Sequence, residues 1–236
     1  MDTQLFQNSV VVAQAPASER AAFIRRTYGH LAGAILAFVL IEIAIFQTPL
    51  ADALTRTLLG SRFGWLAVLV GFGLVSWVAN TWARSNSSVG MQYLGLGLYV
   101  GIEAIIFVPL LYVARHYTSP DVLPNAAIIT GLLFGGLTYT AFTVKSDFSF
   151  LRGFLTLGFF VALGAIVCSI LFGFTLGVLF SAFMVLFAAG SILYTTANIQ
   201  NEYYPGQHVA AALALFAGVA LLFWYVLRIL MSFSRR

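Results

Sequence analysis

Two carboxylates stand inside long apolar runs of this sequence, Glu42 and Glu103. A charge is costly in a hydrocarbon setting, so an acid that persists there marks an ion path, a proton relay or a buried polar contact. Glu42 falls about fourteen residues into the first apolar run and Glu103 about twelve into the third, which at ~1.5 Å per residue puts both a little past mid-membrane from the same side. If the two carboxyls face each other, they share one proton and form a proton- or cation-sensitive site. Otherwise each is a neutral acid hydrogen-bonded to a neighbouring helix. Pro109 has no N–H to give the carbonyl of Ile105, and that freed oxygen lies near Glu103 along the helix, a setting for a cation or a water. Many membrane prolines do no more than kink a helix.

Other chemistry-bearing residues point away from catalysis. Lys145, Asp147 and Arg152 crowd into one short connection, where Asp147 either caps the next helix or pairs with a neighbouring cation. His30, His116 and His208 fall near the ends of apolar runs and are expected apart, without metal-ligand spacing. Cys168 is a lone thiol in an apolar run, which suits packing. There is no nucleophile elbow and no phosphate-cradling glycine loop. Lys145 is the chain's sole lysine and lies in a connection, which removes a retinal Schiff base. The expectation is a protein that is not an enzyme, with no cofactor and no metal.

The elements that position these groups are membrane helices. Of 236 residues, 61% are hydrophobic and 8% charged, and the mean hydropathy is +0.94. So few charges cannot screen such a core from water, so lipid must be the solvent. The net charge of +4 comes mainly from basic residues at the ends of apolar runs, a topology pattern and not a nucleic-acid patch. Hydropathy predicts seven spans, near 28–46, 63–82, 91–113, 123–144, 151–172, 175–199 and 207–231, with Gly173 and Phe174 forming a tight turn between the fifth and sixth. Residues 1–27 are expected to be a polar, mobile tail without a cleavable signal, residues 28–231 the membrane domain, and 232–236 a basic tail. Trp82, Trp224, Tyr203, Tyr204 and Tyr225 are assigned to the membrane interfaces.

The last span suits the middle of a bundle. Ala210, Ala214 and Gly218 stack on one face, widened by Ala211, Ala217 and Ala220, while Leu213, Phe216, Phe223 and Leu227 supply bulk opposite. The pairs Gly29/Gly33, Gly97/Gly101 and Gly131/Gly135 are expected to bring helices close. With the N-terminus inside, basic residues divide six against six. Arg20, Arg25 and Arg26 ahead of the first span favour N-inside and C-outside.

Three stretches resemble the Bax inhibitor family of seven-helix membrane proteins, a group that includes bacterial YccA-like members. They are FIRRTYGHLAG at 23–33, TYTAFTVKSDFSFLRGF at 138–154, and ILYTTANI at 192–199 together with the last helix through LRIL at 227–230. The resemblance spans nearly the whole chain. It implies an all-α bundle with the C-terminal helix near its centre, in a bacterial cell membrane. It also implies no enzymatic chemistry, but a pH-sensitive calcium leak, roles in stress and cell-death suppression, or interaction with a membrane-anchored AAA protease. Many members carry a proton-sensing carboxylate pair in helices six and seven. The matching positions here are Thr195 and Gly218, which cannot ionise. Either Glu103 and Glu42 supply a relocated pair, or there is no proton-gated leak.

Overall fold

The computed structural model describes residues 10–60, 62–84, 88–144 and 148–234. A short 3-10 turn, Val12–Gln14, leads into α1 (Ala17–Phe46), α2 (Leu50–Leu59), α3 (Arg62–Ala83), α4 (Val89–Tyr117), α5 (Val122–Thr143), α6 (Phe150–Phe172), α7 (Val178–Glu202) and α8 (His208–Phe233). All except α2 are long and apolar enough to cross a membrane, giving seven candidate spans. Large apolar side chains such as Leu74, Leu132, Phe160 and Leu179 point outward, as they must where lipid is the solvent.

The C-terminal helix is the pillar. The apolar window of α8 is 67% buried, against 50% for α4 and 22% or less for the other five spans. It packs against α1, α3, α4, α5 and α7. Val209, Ala211, Leu215, Leu222 and Leu227 are fully buried, so α8 is enclosed on nearly every side.

Close helix approach comes from other glycines than the expected pairs. A Cβ built on Gly29, Gly33, Gly97, Gly101, Gly131 or Gly135 meets nothing within 4 Å. A Cβ on Gly95 would lie 2.5 Å from the Ala79 carbonyl oxygen and 2.7 Å from the Ala83 nitrogen, so α3 and α4 touch backbone to backbone there. Gly158 lies under Phe187, and Gly218 under Ile192. Spacing finds glycines on one face; it does not tell whether that face meets a helix or lipid.

Three local features also differ from the sequence reading. First, α2 fills the connection between the first two spans. Ala51 and Thr55, one turn apart, are its buried face. Asp52 in its first turn and Arg56 in its last complement the helix dipole, and those same charges hide it from a hydropathy window. Second, the connection between α6 and α7 is longer than a two-residue turn. Gly173 takes the left-handed conformation (φ 76°), and its N–H donates to Ser169 O at 2.9 Å, closing α6. Arg228 of α8 then holds the extended segment by donating to Leu176 O at 3.1 Å.

Third, residues 10–16 are docked and not free. Val12 is fully buried and its N–H donates to Tyr203 O at 2.9 Å, while Arg20 donates to Ala13 O at 3.2 Å. Tyr203, assigned to the interface by sequence, is buried instead and carries this knot. The Arg84 guanidinium lies 4.9 Å above its ring and donates to its hydroxyl at 3.2 Å. Burial pushes the Tyr203 phenol above its ordinary value, with Arg84 pulling it down. Tyr225 is buried too, and Trp224 stands edge-on to Phe107 at 4.9 Å. Val12→Asp is expected to undock the segment, because it puts an unpaired charge into a sealed apolar site. Hydrogen exchange at the residue 12 amide should speed up by more than about tenfold; an unchanged rate would show that the contact does not hold the segment.

Candidate functional site

The described acids in the bundle are buried and underpartnered. Glu42 on α1 and Glu103 on α4 are 6% and 8% exposed. Neither oxygen of Glu42 has a hydrogen-bond partner among the described residues, nor does Oε2 of Glu103. Such groups cost stability unless water, an ion or a proton meets them.

Their relative position follows from aromatic contacts. His30 meets Tyr93, Phe38 meets Phe107, and Phe46 lies under Arg115, so α1 and α4 run side by side in the same direction. Phe38 and Phe107 touch edge to face, with centroids 5.1 Å apart. Glu103 lies one turn before Phe107 and Glu42 one turn after Phe38. By that contact the two carboxylates fall on opposite sides of the paired phenyl rings. Apolar limits do not fix the register between helices; contacts such as these do. Phe216 and Phe223 of α8 close round the same rings, the latter stacked on Phe107 at 5.9 Å.

Two cavities approach this level from opposite ends. One, about 560 Å³, runs between α1 and α4 from Arg25 and Arg26 down to Ile41 and Val100. The other, about 340 Å³, has Glu42 in its wall together with Phe46, Gln47, Leu111 and Arg115. Glu103 lines neither. Pro109 is buried, and α4 continues through it as one helix.

The remaining candidates separate clearly. Lys145 and Asp147 lie outside the described residues, and Arg152 is exposed at the start of α6. Gly218 is buried, with Ile192 where any side chain would go. Thr195 is half-buried on the turn of α7 after Ile192. His30 and His208, expected apart, meet edge to face at 4.9 Å. His30 Nδ1 lies 2.7 Å from Arg26 O and so donates to it, which leaves Nε2 to accept from the Tyr93 hydroxyl at 2.8 Å. His116 stands elsewhere, stacked on Tyr112 at 4.2 Å. The histidine contact joins α1 to α8 across most of the chain, which no local spacing encodes.

Sequence reasoning also missed a hydroxyl cluster. Tyr28 of α1 faces Thr138 of α5 and Thr196 of α7. The three hydroxyls are buried, and none reaches full hydrogen-bond geometry. Each comes from one of the three stretches that carried the family resemblance, so those stretches converge in space.

Six long apolar helices around a buried C-terminal seventh, with acids held inside two of the six, define a polytopic integral membrane protein. The family described as inhibitor of apoptosis-promoting Bax1 matches residues 20–235, and the chain belongs to this Bax inhibitor family. It is 30% identical to an uncharacterised protein of Pseudomonas aeruginosa over 97% of this chain and 96% of that one. Bax inhibitor 1 of Schizosaccharomyces pombe is 27% identical, over 95% of this chain and 82% of its own. Protein LIFEGUARD 4 of Arabidopsis thaliana is also 27% identical, over 88% and 83%.

Proposed function

We propose that the protein is a passive calcium leak running through the bundle beside α1 and α4, with Glu103 and Glu42 as its acidic stations. The observation that carries this reading is Glu42, a buried carboxylate with both oxygens unpartnered in the wall of a cavity. A hard cation takes oxygen ligands, and a carboxylate without a protein partner is free to supply them. The paired Phe38 and Phe107 rings form an apolar constriction of the kind that gates by dewetting. Glu103 lies on the far side of that constriction from Glu42. The proposed setting is the bacterial cell membrane with the N-terminus cytoplasmic, supported by the Pseudomonas relative and by the arginines ahead of the first span.

Calcium entry into proteoliposomes tests this. Glu103→Gln and Glu42→Gln should each bring flux down to near the protein-free level while the protein still purifies as a folded species. Unchanged flux in both rejects the path.

Gly218 favours a second reading. Ile192 fills the space where many family members carry a carboxylate, so the usual proton latch has no room here. On that reading the protein conducts nothing and modulates membrane-protein quality control through a membrane-anchored AAA protease. Recovery of such a protease with the full chain from native membranes, together with wild-type flux no higher than in empty vesicles, supports it.

A further inference from the structure

An open groove runs between α1 and α4. We infer that it holds one acyl chain of an anionic phospholipid, with the phosphate at Arg25 and Arg26. Three observations carry this, and none depends on ion conduction.

The first is shape. The groove is open along its length because Gly29, Gly33 and Gly97 line it, and none has a neighbour within 4 Å of where a Cβ would stand. Its floor is apolar, formed by Ala34, Leu96 and Val100, which are buried. Glycines that bring two helices together leave no such space, as Gly95 illustrates.

The second is length. From Arg26 to Ile41 the groove follows α1 for about fifteen residues, or ~22 Å. Half of a bilayer with its headgroup region is also ~20–22 Å. A single phospholipid, headgroup to chain end, covers that distance within one leaflet, and the groove stops near the level of the Phe38–Phe107 contact.

The third is charge. Both cations stand at one end, where a headgroup would lie, and no described carboxylate lines the cavity. Neither guanidinium takes part in an ion pair among the described residues. His30 and Tyr93, also at the mouth, are already bonded to each other, which leaves the two guanidiniums as the available donors. A planar guanidinium meets phosphate oxygens two at a time, and basic pockets between membrane helices select anionic headgroups.

The test is native mass spectrometry of the full chain after incubation with equal amounts of phosphatidylglycerol and phosphatidylcholine of matched chains. Wild type should retain one phosphatidylglycerol with a preference of roughly tenfold or more. Arg25→Gln with Arg26→Gln should erase the preference. Gly97→Leu fills the groove, leaves both arginines in place and meets no neighbour at its Cβ. It should lose the bound lipid while keeping its thermal unfolding midpoint. Lack of preference in wild type overturns the inference. So does full retention by Gly97→Leu, which would place the lipid on the outer surface. Preferential capture of palmitate, or a wild-type dimer that Gly97→Leu dissociates, would assign the groove to a free fatty acid or to a second copy of this chain and overturn it equally.

Discussion

Gly95→Ala is expected to lower the thermal unfolding midpoint of the detergent-purified protein substantially, whereas Gly97→Ala holds it or raises it slightly. The two residues sit two positions apart in one helix, so propensity treats them alike. Replacing a helical glycine by alanine contributes about 0.5–1 kcal/mol from reduced backbone freedom. At Gly97 that gain stands alone, since the new methyl meets nothing within 4 Å. At Gly95 the methyl would sit 2.5 Å from the Ala79 oxygen, 2.7 Å from the Ala83 nitrogen and 3.1 Å from Trp82 Cβ. Backbone atoms cannot turn aside as a flexible side chain can. The α3–α4 contact must open, and overpacking a close-packed contact costs ~1–3 kcal/mol or more. The penalty therefore exceeds the gain and reverses its sign. Equal midpoints for the two variants would show that α3 and α4 do not approach at Gly95.

That contrast also marks the boundary of what the sequence makes legible. Hydropathy locates all seven spans, because a helix in lipid must carry about twenty apolar residues whatever its neighbours are. The central place of the last helix is legible too, since Ala210, Ala211, Gly218 and Ala220 admit close neighbours that Leu and Phe would hold off. Register and facing are not legible. Gly95, Gly97 and Gly101 crowd one stretch, yet the expected pair lines lipid-facing space while Gly95 makes the contact. The relation of Glu42 to Glu103 is not legible for the same reason: the Phe38–Phe107 contact that stands between them belongs to two helices at once. His30 with His208, and Tyr28 with Thr138 and Thr196, are products of the closed bundle. The stretches that carry the family resemblance contain all three hydroxyls, but nothing in those stretches says that they meet. Of the charged connection, Lys145 and Asp147 lie outside the described residues.

Glu42→Leu separates a conducting carboxylate from a structural one. Leucine has nearly the volume of glutamate and no polar atoms. If the Glu42 carboxyl serves the fold, its loss destabilises, because a partner elsewhere is left unsatisfied. The structure shows no such partner on either oxygen among the described residues, and the surrounding wall is Ile43, Phe46, Leu111 and Leu123 with Gln47 and Arg115 at hand. Removing a buried polar group that makes no hydrogen bond should then raise stability by about 1–3 kcal/mol, seen as a higher unfolding midpoint in detergent. Calcium flux into proteoliposomes should fall in the same variant. Gain of stability with loss of activity is the signature of a group retained for function at the expense of the fold. Glu103→Leu should move both readouts in the same directions, since Oε2 of this carboxyl is also buried without a partner among the described residues. A lower midpoint for Glu42→Leu would assign that carboxyl to helix packing and leave the leak without its first station. A higher midpoint with flux intact would leave the carboxyl dispensable to both, and the path would have to avoid α1.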